Sequence, residues 1–236
     1  SDTKHKIVIF PQVEVGSLIY SKSQMKTFKT QFKNHFFFYS VAPPFRKQLY
    51  KEINIVVNKK IQLNFDSNGF DGGLVKETKD KLYYKYTYKQ ENVLAPEDTT
   101  VSIIDYAPYL FVSSFKSYEE YGNAYQKLNY PKTKVTSFLQ GVADGIINKT
   151  VTTKREEARL IYEWVVKNIR YVAVYVGNGG IEGHDAEKII RDGYGDCKDH
   201  SIVLEALLNA RGIESSFALI NSGNAARGTT VSSSMV

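Results

Sequence analysis

The sequence is poor in cysteine, tryptophan and methionine, with one, one and two copies in 236 residues. A single cysteine, Cys197, excludes an intrachain disulfide and every multi-cysteine metal site, and it suits a reducing or an oxidising compartment equally. Long apolar runs are also lacking. The longest, such as 171–176, fall far short of the ~20 residues that cross a bilayer, so no membrane span is expected. No charged-then-apolar leader opens the chain. It begins Ser-Asp, with methionine only at Met25 and Met235, which reads as a processed or cut terminus. No recognition helix or other nucleic-acid motif is present. The net charge of +6 comes mainly from residues 1–110, with 16 Lys/Arg against 11 Asp/Glu, while the remainder has 15 against 14. That surplus lies in lysine-rich strands, where edge lysines block sheet-to-sheet association, so no nucleic-acid partner is expected. Nor is there a repeat of fixed period.

What is present is ordinary globular composition, 42% hydrophobic and 24% charged, in a length that suits one large or two modest domains. Residues 1–115 read as a β-rich N-terminal domain. Short runs over 6–10, 18–22, 36–41, 52–57, 61–65, 81–88 and 103–112 are rich in Tyr, Phe, Ile and Val. Turn chemistry at Pro11, Gly16, Pro43-Pro44, Ser67-Asn68-Gly69, Asp71-Gly72-Gly73 and Pro96 separates them. Many short strands with frequent turns point to an antiparallel sandwich. Near residue 116 the period changes, and 116–236 reads as a helix-rich core. Helices are expected over 117–128 and 134–147, parted by Pro131. A third begins at the capping box Thr153-Lys154-Arg155-Glu156 and carries an apolar stripe of Leu160, Ile161, Trp164, Val165 and Ile169, with Trp164 read as core. A strand over 171–176 leads to Gly177-Asn178-Gly179-Gly180, a loop rather than a phosphate cradle because no Lys-Ser/Thr or long helix follows it. A short helix over 185–191, capped by Asp185, precedes the turn Asp192-Gly193-Tyr194-Gly195. The last helix runs from about 196 to 211 and stops at Gly212. A strand is expected over 215–220, then a Ser/Gly-rich loop over 221–236.

The chemistry concentrates in Gly193-Tyr194-Gly195-Asp196-Cys197-Lys198-Asp199-His200. Only the thiolate of cysteine is a good nucleophile, and the open N–H groups and positive dipole end of a helix N-terminus favour that anion. Those N–H groups can also donate to an oxyanion. Cys197 therefore stands where a nucleophile belongs, although a lone cysteine is more often a small buried hydrophobe. His200, one turn on, reads as packing or hydrogen bonding in the helix, since as a base it would have to turn back toward the sulfur. His184 is a loop or capping residue that could line a cleft. Asp196 reads as an N-cap and Asp199 as a first-turn carboxylate, with substrate contact the alternative for each. Tyr171 and Tyr194 either pack or present a hydroxyl to the cleft. His184, Asp185, Asp199 and His200 are metal-ligating types, but their spacing specifies no convergence, and no metal is expected. His5 and His35 have no partner motif, and Asn148-Lys149-Thr150 is a glycosylation triplet that arises easily by chance.

Taken in order, Ile169-Arg170-Tyr171, His184-Asp185-Ala186-Glu187-Lys188-Ile189-Ile190, Gly195-Asp196-Cys197-Lys198-Asp199-His200 and the run from Leu204 to Ile213 resemble the transglutaminase-like core. The stretches Phe10–Ser17 and Ala107–Phe115 resemble the uncharacterised domain that precedes such cores in bacterial proteins. The resemblance implies an α+β protein in which an antiparallel β-sandwich-like domain precedes a papain/transglutaminase-like core. It also implies Cys-His-Asp acyl transfer or amide hydrolysis on a protein or peptide substrate, with no cofactor, and a periplasmic or cell-surface location. Only Cys197 carries over as a catalytic residue. The family's His and Asp lie on later strands, so the core is expected to be incomplete and residues 1–236 alone to be inactive or nearly so. The alternative is a non-catalytic binding or scaffold module on the same fold.

Overall fold

A computed structural model describes residues 9–22, 24, 30–45, 47–90, 93, 103–147, 153–173 and 180–220. Several expectations lie outside these residues: the strand over 6–8, the second half of 171–176, the turn at 177–179, the triplet at 148–150, His5 and the loop 221–236. The chain divides into two units, Phe32–Leu128 with Ser216–Val236, and Asn129–Ser215 with Ser1–Gln31. The division falls one helix later than the change of period at 116.

The first unit holds two antiparallel three-stranded sheets. One has β1 (Phe37–Val41), β6 (Tyr109–Ser113) and β3 (Asn64–Asn68) in the order β1-β6-β3. The other has β2 (Gln48–Asn58), β5 (Lys81–Gln90) and β4 (Asp71–Glu77) in the order β2-β5-β4. Successive side chains of a strand point to opposite faces, and the Tyr/Lys alternation of β5 follows that rule: Tyr86 and Tyr88 are buried, while Lys85 and Lys89 are not. One core joins the sheets, with Ala42, Leu110 and Val112 meeting Ile55, Phe70, Tyr86 and Tyr88. The Phe65 ring of β3 lies 4.4 Å from that of Tyr84. On the other side of β6, Phe115 meets Phe32 and Tyr121 edge-on at 5.4 and 5.3 Å. Tyr121 belongs to α2 (Tyr118–Asn129).

Two strand expectations and one turn expectation are corrected here. Residues 18–22 form no strand, because no described segment pairs with them. Of 103–112, the first part is a single helical turn, α1 (Ile103–Tyr106), whose apolar pair suits either state. Asp71-Gly72-Gly73, expected as a turn, opens β4 and pairs with Thr87, Tyr86 and Lys85. A Cβ at Gly72 would lie 2.0 Å from the Lys85 carbonyl oxygen, so the glycine serves close strand approach.

The second unit is helical. A 3-10 turn (Tyr130–Thr133) with Pro131 in its first turn precedes α3 (Ser137–Ile146), α4 (Lys154–Asn168), α5 (Ala186–Asp192) and α6 (Cys197–Ala210). Thr136 and Thr153 cap α3 and α4 by accepting from the Leu139 and Glu156 amides. Asp185 occupies the N-cap position of α5 but makes no capping bond; its carboxylate lies 3.8 Å from Lys132 instead. α6 packs against α3, α4, α5 and the 3-10 turn. Its Ile202, Val203, Ala206 and Leu207 are sequestered with Leu139, Ala143, Ile161, Val165 and Ile189. Burying one such Leu, Ile or Val contributes roughly 1.5–3 kcal/mol, so this face holds the helix in place. Trp164, expected in the core, is only half-buried, because it sits on α4 between the inward Ile161 and Val165 and the solvent side. Residues 215–220, expected as a strand, run without regular structure and pair with no described segment.

Candidate active site

The start of α6 is built by its neighbours. Gly193, in the left-handed region at φ 73°, ends α5 and turns the chain. Two residues each of β7 (Arg170–Tyr171) and β8 (Tyr194–Gly195) then pair in parallel, extended by the Val172 amide donating to the Gly195 carbonyl at 2.9 Å. Gly195 has no room for a side chain, since a Cβ there would lie 2.6 Å from the Cβ of Asp199.

A helix opens with four amides that lack an intrahelical partner. Here they are the amides of residues 196–199, since that of His200 makes the first intrahelical bond, to the Asp196 carbonyl at 3.0 Å; the Asp196 carboxylate accepts from the Lys198 and Asp199 amides at 3.2 and 3.5 Å. The Asp199 carboxylate reaches back to accept from the Asp196 amide at 3.3 Å, closing a capping box. Among the described residues, only the Cys197 amide of these four is left without an acceptor. Cys197 is exposed in the first turn, with its own amide open beside the sulfur.

Both aspartates are nearly fully buried at 3% exposure, and each has a cationic or histidine partner. The ammonium of Lys198, itself 6% exposed, bonds the Asp196 carboxylate. His184 grips Asp199 twice, through its amide at 2.9 Å and its Nδ1 at 3.2 Å. With Nδ1 donating, Nε2 points away from the carboxylate. Residues 197 and 199 leave a helix about 200° apart, so the His184–Asp199 pair and the Cys197 side chain lie on different sides of α6. A cavity of about 170 Å³ follows the same division: His184, Tyr194, Gly195, Asp196 and Asp199 line it, and Cys197 does not.

His200 is tied down. Its Nδ1 lies 2.9 Å from the Asp196 carbonyl and its Nε2 3.0 Å from that of Ile169. Both nitrogens therefore face carbonyl oxygens, which suits the packing role and not that of a base. Tyr171 is half exposed, its ring 5.8 Å from that of His200, and Tyr194 is exposed at the cavity wall. The structure thus gathers Tyr194, Asp196, Asp199 and His184 at one cavity, with Tyr171 and His200 on the β7 side and Cys197 open to solvent.

Two charged groups escaped the sequence reading. Lys198 carries a signal, a lysine placed between two aspartates at a helix start, but its burial does not follow from that. Glu205, also on α6, is 3% exposed with Oε1 lacking a partner among the described residues, and burial pushes its carboxyl above the usual range. Among those residues, no group of three or more His, Cys, Asp or Glu side chains could hold a metal, and no helix is long and apolar enough to cross a membrane.

This is an α+β protein. Residues 140–229 match the family model of the transglutaminase-like superfamily, and residues 1–97 match that of a domain of unknown function with a solved structure, DUF3857. The chain accordingly carries a DUF3857 domain followed by a transglutaminase-like core. Comparison with curated proteins gives no match. A crystal structure of a "putative protease" from Parabacteroides distasonis ATCC 8503 superposes with a TM-score of 0.64 at 17% identity. The match covers 78% of this chain and 36% of that one, so this chain spans little more than a third of its length. At that identity the likeness concerns the fold alone.

Proposed function

We propose that the protein is a transglutaminase-like acyltransferase or amide hydrolase that acts through the Cys197 thiolate on a protein, peptide or amide substrate. The observation that carries this reading is the exposed thiol in the first turn of α6, beside its own amide, the one opening amide without an acceptor among the described residues. In the reaction the sulfur attacks the substrate carbonyl carbon while the open amide donates to its oxygen. The C–N bond then breaks, the amine departs with a proton, and a second amine or water takes the acyl group from sulfur.

A second reading, a binding module without turnover, draws on the two carbonyl contacts that occupy His200 and on the placement of His184 across the helix from Cys197. The two readings separate in one experiment. Iodoacetamide alkylation of the sole thiol is followed at pH 7 against free cysteine, alongside turnover of a glutamine–amine pair and a peptide amide, in this chain and in one extended past Val236. Alkylation at least ~10-fold faster than free cysteine, with turnover that Cys197→Ala abolishes in the extended chain, supports the enzyme. A thiol of ordinary reactivity with no turnover in either chain supports the module.

A further inference from the structure

We propose that Lys198 is a positioning residue for Cys197: its buried ammonium neutralises the Asp196 carboxylate, so that the helix can be capped by an acid without repelling the thiolate next to it. The inference rests on the reading of Cys197 as the nucleophile.

The start of α6 has conflicting needs. The capping box uses two carboxylates, Asp196 and Asp199, within two residues of Cys197. Both are shielded from water, so their fields are poorly screened, and a nearby like charge disfavours a second anion. Asp199 is offset by the Nδ1 of His184. Asp196 is offset by Lys198, whose side chain turns back along the helix to reach it. Helix stability does not explain that lysine. A cation in the first turn opposes the helix dipole, and burying an ion pair is often no better than burying apolar groups of the same volume. A neutral Asn would cap as well as Asp. What the lysine adds is a positive charge that cancels the Asp196 carboxylate on the residue preceding Cys197. The other titratable groups near the helix start are His200 on α6, Tyr171 on β7, Tyr194 on β8, and Lys188 and Asp192, which pair with each other on α5.

Because Cys197 is the only thiol, iodoacetamide alkylation at pH 7 reads the effect without separation of sites. The wild type is compared with Lys198→Met, Asp196→Asn, the double variant Asp196→Asn/Lys198→Met, and the conservative Lys198→Arg. Circular dichroism reports folding in each. With a charge contact worth about one decade or more, Lys198→Met is expected to slow alkylation ~10-fold and Asp196→Asn to quicken it ~3-fold or more. The double variant should recover most of the rate lost in Lys198→Met, and Lys198→Arg should keep most of the wild-type rate. If Lys198→Met fails to fold, the Asp196→Asn background decides, since no unpaired carboxylate remains at position 196 there: adding Lys198→Met must slow the thiol ~3-fold or more. A fast thiol with equal rates in all folded variants overturns this inference alone. A wild-type thiol no faster than free cysteine overturns the nucleophile reading and this inference with it.

Discussion

The two units bury polar groups in opposite ways. In the sandwich, the buried polar residues are the serines Ser40 and Ser113, and the charged network of Glu52, Lys85, Tyr50 and Asn54 lies on the open face of its sheet. In the helical unit, Glu157, Asp196, Lys198, Asp199 and Glu205 are all buried, three of them on α6 and Asp196 at its N-cap. Desolvating a charge costs several kcal/mol unless it is paired and hydrogen-bonded. A fold that needed only a core would build as the sandwich does, from aromatics and alcohols. The concentration of sequestered charge around the helix that presents Cys197 supports the proposed reading of that helix, because functional sites depart from the rules that stabilise the rest of a chain.

The most severe test removes the centre of that charged network. Asp199 accepts from the Asp196 amide and from two donors of His184. Asp199→Ala strands the two amides while the exposed His184 ring turns to water, and a loss of roughly 2–4 kcal/mol is expected from urea denaturation. The matching change in the sandwich, Ser40→Ala, removes the acceptor of a 2.6 Å bond from Lys51 and should cost about 1 kcal/mol. Equal losses at the two positions would break the comparison.

The sandwich has its own intolerant point, and it is steric. In Gly72→Ala the new Cβ meets the Lys85 carbonyl, part of a neighbouring strand's backbone that cannot turn aside. Overpacking of this kind typically costs 1–3 kcal/mol, so a loss of about 2 kcal/mol is expected, together with a weaker β signal in circular dichroism.

That glycine also marks where the sequence was legible and where it was not. β1, β2 and β5 follow from short runs rich in Tyr, Phe, Ile and Val between turn residues, α2 and α3 from the break at Pro131, and α4 and α6 from stripes and stop signals, because these signals are written in neighbouring residues. β4 was read as a turn because Asp-Gly-Gly favours turns locally, while the close approach to β5 that requires Gly72 is a tertiary fact. The same division holds at the candidate site. Asp196 as N-cap and Cys197 in the first turn follow from the local sequence, and α6 has both there. The grip of His184 on Asp199 joins residues 15 apart, and the burial of Lys198 depends on what packs over it, so neither could be read from spacing.

A milder test uses pH. Burial raises the Glu205 carboxyl above its ordinary value of 4.5, so the folded protein holds that proton more tightly than the unfolded chain. The stability it confers is fully present below pH 4.5 and is lost as pH rises through the folded-state value. Glu205→Gln keeps the shape without the charge. Its thermal midpoint should match that of the wild type at low pH and exceed it increasingly toward neutrality. A constant offset across pH would mean that the group is not held protonated by its surroundings.

The smallest effect is expected on the sandwich surface, where a large shift carries little energy. Lys85 first, then Tyr50 and Asn54, hold the Glu52 carboxyl down to about 2. The sign is opposite to that of Glu205: this contribution is present above pH 4.5 and fades as pH falls toward 2. Glu52 is open to water, however, where ion pairs are screened and side-chain ordering offsets most of the attraction. Glu52→Gln should therefore leave the thermal midpoint at pH 7 nearly unchanged, and added salt should erase what difference there is. A clear, salt-resistant loss for Glu52→Gln together with a Glu205→Gln midpoint that tracks the wild type at every pH would reverse the contrast between the units. The reason to expect otherwise is physical: a carboxylate's worth to the fold depends on how much water it has given up, and Glu205 has given up nearly all of it.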